Sequence, residues 1–173
     1  MERIFVGIDP DVDGSGVAVL KVDRGVGFHM KPETEIIDIS NSDLPSMIDL
    51  FARIKESETA DKTTIVVEAG WKNHSNWHIP KKAGTHMAAE IGRRTGRNHQ
   101  IAMDIAAIAQ SFGLHVIERL PLIKSWKGKD GKITHDELSY ITGMKQKRTN
   151  QEQRDALLLA WCESGLPIRV KVA

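Results

Sequence analysis

Residues 4–20 constrain the fold of this chain more than any other stretch, because two apolar runs of β-forming residues flank a short acidic turn. The first run covers residues 3–8 and leads to Asp9, after which Pro10 and small residues turn the chain into a second run over residues 16–22. This order predicts a strand, an acidic turn and a second strand. An acid at the end of a strand suits a site for a cation or a phosphate better than it suits a hydrophobic core.

The rest of the chain predicts an alternation of strands and helices. Further strands are predicted at residues 26–30 or 34–39, at 63–68 and at 114–118. Helices are predicted at residues 44–56, from the cap Asn98 to about Phe112, at 135–142 and at 151–163. Residues 71–100 read as a loop that runs into a helix broken or bent near Thr95 and Gly96. With no linker or repeat in view, residues 1–173 form one α/β domain in this interpretation, and the three early strands form an antiparallel meander.

Charge is distributed unevenly along the sequence. Residues 1–70 hold 7 lysines and arginines against 14 acids, a net charge of −7, whereas residues 71–173 hold 17 against 9, a net charge of +8. The bases of the second part would line a phosphate track around the acids of the first, although lysine-rich helix surfaces would give the same count. The basic side chains that crowd with aromatic residues are the first candidates for contacts with nucleic acid: Lys81, Lys82, Arg93 and Arg94.

Several common classes of protein are not indicated by the sequence. It contains no apolar run of about 20 residues, the length that spans a membrane, and no basic segment followed by an apolar stretch that would mark a secretory signal. The single cysteine, Cys162, cannot form an internal disulfide and is expected to be a small buried side chain. These features predict a cytoplasmic protein without a membrane partner.

Four carboxylates from distant parts of the sequence are predicted to converge. Asp9 and Glu68 each end an apolar strand, so parallel pairing of these strands would place both at the sheet edge where ligands bind. Glu152 and Asp155 lie three residues apart and share one face of the last helix. Such a cluster repels itself unless hard cations such as Mg²⁺ or Mn²⁺ bind the oxygens. Two ions about 3.5–4 Å apart would activate water against a phosphodiester, whereas a lone acid at such a position is more often a solvated cap.

Three other kinds of site share parts of this pattern. Residues 9–14 match the start of a calcium-binding EF-hand loop, but Leu20 stands where that loop needs a glutamate, and a predicted strand precedes it. The turn also resembles the phosphate loops of actin-like ATPases, which need two such domains. His74 and His78 would suit zinc on a helix, but no third ligand is evident.

Three short motifs together resemble one family. Gly7-Ile8-Asp9-Pro10, Val66-Val67-Glu68 and Arg154-Asp155-Ala156-Leu157 are similar to the RuvC family of Holliday junction resolvases, within the RNase H-like superfamily. The order of strands, helices and basic loop supports the resemblance over nearly the whole chain. It implies a five-stranded mixed sheet with helices on both faces, a homodimer, and Mg²⁺ or Mn²⁺ with two ions per site. It also implies paired nicking of four-way DNA junctions in recombination and repair.

The resemblance assigns roles to particular residues. Asp9, Glu68 and Asp155 match the family's acids, and Glu152 stands where the family has an acid or a histidine. Trp71 lies three residues after Glu68, where the family can carry an aromatic residue that stacks on DNA bases. The family's basic DNA-contacting stretch corresponds to a loop that contains Lys124 and Lys132.

Two points stay open at the level of sequence. Asp9-Pro10-Asp11 replaces the family's Asp-Pro-Gly turn, so Asp11 and Asp13 have no assigned role and would suit a further ion. The shared chemistry carries no substrate signature. Other RNase H-like nucleases, which act on RNA–DNA hybrids or flapped DNA, and a non-catalytic nucleic-acid-binding protein are therefore alternatives.

Overall fold

The computed structural model describes residues 1–25, 31–73, 84–123, 125–146 and 148–168. Within these residues the strands are β1 (Glu2–Asp9), β2 (Ser15–Asp23), β3 (Glu33–Ser42), β4 (Thr63–Glu68) and β5 (His115–Arg119). The α-helices are α1 (Leu44–Glu56), α2 (Thr85–Ser111), α3 (His135–Thr142) and α4 (Gln151–Glu163). None of these helices is both long enough and apolar enough to cross a bilayer.

The strands form one mixed sheet in the order β3-β2-β1-β4-β5. β1, β2 and β3 are antiparallel neighbours, which confirms the predicted meander. β4 and β5 run parallel to β1 and are reached through α1 and α2. The parallel half is the one whose strand ends meet at one edge, and it therefore positions the site described below.

Hydrophobic cores lie on both faces of the sheet. One core is covered by α1 and α2 and contains Met47, Phe51 and Ile105. The other is covered by α3 and α4 and contains Leu138 and Leu157. Because each fully buried side chain of this size contributes about 1.5–3 kcal/mol, both helical layers hold the sheet in place. The predicted fold class, a five-stranded mixed sheet with helices on both faces, is confirmed.

Local sequence explains where the shorter helices begin. Asp43 caps α1 by accepting a hydrogen bond from the backbone N–H of Ser46 at 2.9 Å. Hydrogen bonding from the side chain of Ser46, and then from its backbone N–H, lowers the pKa of Asp43. Reciprocal capping boxes start the two later helices, with Thr134 and Glu137 at α3, and Asn150 with a glutamine at α4.

The structure corrects one element and selects between two others. α2 runs without a break through Thr95 and Gly96, so the predicted interruption there is wrong. Nothing lies within 4 Å of the place where a Cβ atom on Gly96 would be, and the glycine costs the helix only about 1 kcal/mol. The buried face of α2 outweighs that cost. The third strand follows the 34–39 alternative, while residues 26–30 lie outside the described residues, as do His74 and His78.

Candidate active site

Asp9 and Glu68 lie side by side at the edge of the sheet. β1 and β4 pair in parallel with Ile8 opposite Val67, so the next residue of each strand is a carboxylate. Both acids line the same cleft. The predicted meeting of these two side chains follows directly from the strand register, because buried apolar residues fix which residues pair.

Two glycines of the sheet allow α4 to bring the other acids to the same cleft. A Cβ atom on Gly7 would stand 2.1 Å from the carbonyl oxygen of Ala156, and one on Gly16 would stand 2.1 Å from that of Glu152. Any side chain at either position would push α4 off the sheet. In the close packing that the glycines permit, Glu152 and Asp155 line the cleft together with the strand acids.

Asp9 is the electrostatic centre of this carboxylate cluster, which comprises Asp9, Glu68, Glu152 and Asp155. Burial raises the pKa of Asp9 well above its ordinary value, and the charges of Glu68, Asp155 and Glu152 raise it further, in that order. The ammonium group of Lys132 acts in the opposite direction. The cluster is therefore a place where additional positive charge is strongly favoured.

The carboxylate cluster offers only oxygen atoms as ligands, and oxygen ligands are the ones that hard divalent cations prefer. The four side chains do not converge on one point: among the described residues, no group of three His, Cys, Asp or Glu is arranged to hold a metal ion. Asp155 accepts a hydrogen bond from Nε2 of Gln151 at 2.7 Å. Repulsion between like charges opposes closer approach of the acids until positive charge enters the cleft.

Asp11 fixes the turn between β1 and β2. Its carboxylate accepts hydrogen bonds from the backbone N–H of Asp13 at 2.9 Å and from Nδ2 of Asn98 at 3.1 Å. Its own N–H donates to Oγ of Ser15 at 3.2 Å. Because Asn98 belongs to α2, Asp11 ties the turn beside Asp9 to the helix across the cleft. This contact gives Asp11 a structural role that the sequence left open.

The predicted DNA-binding residues are placed unevenly. Lys132, in the loop before α3, and Arg94, on α2, both line the cleft. Arg93 is exposed and does not line it; it donates two hydrogen bonds, at 3.0 and 2.8 Å, to the Glu90 carboxylate, which also accepts one from Arg94 at 3.0 Å. The remaining candidates lie outside the described residues: Lys81, Lys82 and Lys124.

Two tryptophans differ in their relation to the cleft. Trp71, predicted to stack on bases, is half-buried in the short turn after β4 and is not among the described residues that line the cleft, although Gly70 and Asn73 are. Trp126, which the sequence analysis did not single out, does line it, as does Lys132. The available signal was an aromatic residue inside a basic loop.

Solved structures provide an independent view of the fold. RuvC of Thermus thermophilus in complex with a Holliday junction substrate is similar at a TM-score of 0.51 and 15% identity, with 94% of this chain and 97% of that chain covered. A further Thermus thermophilus RuvC structure gives 0.47 and 16% over 94% and 97% of the two chains. The Fowlpox virus resolvase in complex with its Holliday junction gives 0.49 and 10% over 92% and 97%. No family model and no curated protein sequence matches the chain.

The fold is of the α/β class: a five-stranded mixed sheet carries helices on both faces, as in an RNase H-like fold. This arrangement is similar to that of RuvC, so the resemblance seen in the sequence is confirmed at the level of the fold. The strand register places Asp9 and Glu68 at one edge of the sheet.

Proposed function

We propose that this chain is a metal-dependent endodeoxyribonuclease that resolves four-way DNA junctions by paired hydrolysis of phosphodiester bonds, in recombination and repair. The observation that carries the proposal is the carboxylate cluster: acids from β1, β4 and α4, far apart in sequence, line one cleft and jointly raise the pKa of Asp9. Four acids in one cleft repel one another, whereas divalent cations that catalyse phosphodiester hydrolysis are commonly held by such carboxylates.

Mg²⁺, with Mn²⁺ as a substitute and two ions per site, would be held by the carboxylate cluster. Bound ions of this kind supply stabilisation for the negative charge that develops on the reacting phosphate and leaving oxygen. The protein itself contributes orientation: β1 and β4 fix Asp9 and Glu68 relative to each other, and α4 fixes the other two acids. Lys132 and Arg94 line the same cleft and would attract a DNA backbone toward the cluster.

Branched DNA is the substrate we favour, with residues 1–173 acting as a single nuclease domain in a homodimer. The net charge of +8 on residues 71–173 suits a polyanionic ligand. The similar Thermus thermophilus RuvC is described in complex with a Holliday junction substrate. Because that likeness carries only the fold, the choice of substrate depends on the experiment below.

The test is cleavage of a synthetic four-way junction, compared with duplex DNA, an RNA–DNA hybrid and a flapped duplex. Each substrate is incubated with Mg²⁺, with Mn²⁺ or with EDTA. We expect paired nicks on opposed strands of the junction, none in EDTA, and loss of cutting with retained binding in Asp9→Asn. Asp49→Asn, which changes an exposed acid on α1 outside the cleft, is the matched control and should cut normally.

Other outcomes would redirect the proposal. Preferred cutting of the hybrid or the flap would identify a different RNase H-like nuclease with the same carboxylate cluster. Junction binding without cutting in any metal would identify a non-catalytic nucleic-acid-binding protein. Unchanged cutting in Asp9→Asn would remove the carboxylate cluster from the mechanism.

A further inference from the structure

One wall of the cleft is apolar, although the cleft also holds the carboxylate cluster. Leu122, Ile123 and Trp126, all from the loop after β5, line this wall. Ile123 is 86% exposed, and the neighbouring Leu120 is 57% exposed. Grouped apolar side chains that remain exposed inside a cleft mark a site for a ligand with apolar surface of its own.

The loop presents Trp126 in a fixed position. The backbone N–H of Trp126 donates to the carbonyl oxygen of Gly131 at 2.9 Å, which closes a short loop in which Asp130 adopts the left-handed conformation at φ 56°. The Glu137 carboxylate, at the start of α3, accepts from the N–H of Lys127 at 3.1 and 3.3 Å. Part of the Trp126 side chain packs against the core under α3 and α4. The ring is therefore pre-organised, which lowers the entropic cost of binding a ligand against it.

Positive charge accompanies the apolar wall. Lys132 follows Trp126 in the same loop, and Arg94 projects from α2 into the same cleft. A nucleotide matches this combination, because its base has two apolar faces and its phosphate is an anion. In a continuous duplex the base faces are covered by their neighbours. The matching ligand is therefore a nucleotide whose base is unstacked.

We propose that Trp126, with Leu122 and Ile123, forms a subsite for an unstacked nucleobase beside the phosphodiester that the carboxylate cluster acts on. This inference deepens the proposed nuclease function and rests on it. It supplies a physical reason for a preference for branched DNA, because a base next to a branch or already single-stranded costs less to unstack than one inside a duplex. Trp126 thereby becomes a substrate-selecting residue distinct from Trp71.

The test uses four-way junctions with the fluorescent base 2-aminopurine at successive positions around the branch point. Asp9→Asn protein is used so that binding is measured without cutting. Stacking on Trp126 should quench 2-aminopurine at one or two positions, and Asp9→Asn/Trp126→Ala should lose that quenching. Loss of one stacked base should weaken junction binding about tenfold. Trp126→Phe should restore most of both effects, and Tyr140→Ala, an exposed aromatic residue outside the cleft, should change neither.

Two further arms separate this inference from the proposed function. Trp126→Leu keeps apolar bulk without an aromatic face, so it should also lose the quenching, and it replaces Trp126→Ala if that variant does not fold. A single-stranded oligothymidylate, used as a probe without a branch, should bind about tenfold more weakly to the Trp126 variants even if no junction is ever cut. Equal quenching and equal oligothymidylate affinity with and without Trp126 would overturn the subsite, while normal junction cutting would leave the nuclease proposal intact.

Discussion

At the scale of single residues, Asp9 shows most clearly what the cleft requires. Burial and three neighbouring carboxylates all oppose its negative charge. An acid whose pKa is raised by folding makes the native state less stable as pH rises from the unfolded value, about 3.9, through the raised native value. At neutral pH the charge of Asp9 therefore destabilises the metal-free protein, at the position where we propose that a cation binds.

Replacing Asp9 should therefore stabilise the protein when no metal is bound. At pH 7 in EDTA, Asp9→Asn should raise the Tm, by about 2–4 °C for each kcal/mol of relieved repulsion. The difference should vanish below about pH 3, where the acid is protonated in both folded and unfolded chains. Mg²⁺ should raise the Tm of the wild-type protein and not that of the variant, as calorimetric scans would measure. A wild-type Tm that millimolar Mg²⁺ and Mn²⁺ leave unchanged would contradict a cation site at Asp9.

Glu90 is a second residue whose charge the structure controls. Hydrogen bonds from Arg93 and then Arg94 lower the pKa of Glu90 to about 2. A lowered pKa means that the ion pair stabilises the fold above the ordinary glutamate pKa, about 4.3, and is lost as pH falls through about 2. Because the three side chains are exposed, the contribution to stability is small. Arg94, which lines the cleft, is itself hydrogen-bonded to Glu90. A phosphate group that binds Arg94 would therefore have to displace the Glu90 carboxylate.

Nuclear magnetic resonance titration of the Glu90 carboxyl carbon measures this coupling directly. The midpoint should lie near 2 in the wild-type protein and return toward about 4.3 in Arg93→Gln/Arg94→Gln. Arg53→Gln, which removes an exposed arginine from α1, should leave the midpoint in place. An unchanged midpoint in the double variant would show that the two arginines do not hold Glu90 in solution.

The sequence predicted some of these residues and missed others for a physical reason. Asp9 and Glu68 could be predicted because an acid directly after an apolar strand is visible in the local sequence pattern. Asp11 was not, since its function depends on Asn98, which lies 87 residues away in the sequence. Trp126 was missed for the same kind of reason: its place in the cleft depends on how the loop after β5 folds back onto α3.

At the scale of secondary-structure elements, the seating of α4 decides whether the carboxylate cluster forms. Gly7 on β1 and Gly16 on β2 leave no room for a Cβ atom beneath the backbone of α4. The backbones of helix and sheet are therefore in contact at Glu152 and at Ala156, which lie about one turn of α4 apart. Periodicity predicted the helix itself, but not this contact, because a glycine in a strand is equally compatible with a bulge or a bend.

A single methyl group at Gly16 should move α4 and with it Glu152. Gly16→Ala should cost about 1–3 kcal/mol through overpacking and should reduce junction cutting beyond its effect on folding. Gly96→Ala is the matched control, because that glycine lies in α2 with open space around its α-carbon. It should stabilise the protein by about 0.4–1 kcal/mol. Equal Tm changes for the two variants would contradict the close contact between α4 and β2.

The predicted break in α2 was wrong for the same reason that the contact between α4 and the sheet was missed: both depend on tertiary packing. Thr95 and Gly96 weaken a helix locally, and local preference alone predicts a break there. In the structure the buried side chains of α2, among them Ile105 and Ala106, pack in the core against the sheet, and the helix is continuous. Tertiary burial, which is concentrated in the C-terminal part of α2, is larger than the local cost of Thr95 and Gly96.

At the scale of the whole molecule, the proposed paired cutting raises the question of a second active site. The described residues form one carboxylate cluster, and two simultaneous nicks on opposed strands need two. The family resemblance implies that the long helix α2, which carries Ile101, Ile105 and Ile108, helps to pair two subunits, and this stays a prediction. Ile105 is buried in the core under α2, and the other two pack against the same core, because the sheet already covers this face. A dimer contact through α2 would therefore use another face of the helix.

The outward face of α2 is the surface to test. Met103 follows Ile101 by two residues, so it is turned about 200° around the helix axis, and it is 38% exposed. Sedimentation velocity at micromolar concentration should show a dimer, and Met103→Asp should shift it toward monomer, whereas Ile37→Asp on β3 should not. The monomeric variant should nick one strand of a junction without the coincident second nick. A wild-type chain that sediments as a monomer both alone and on junction DNA would refute the homodimer, and paired nicks would then have to arise from two independent binding events.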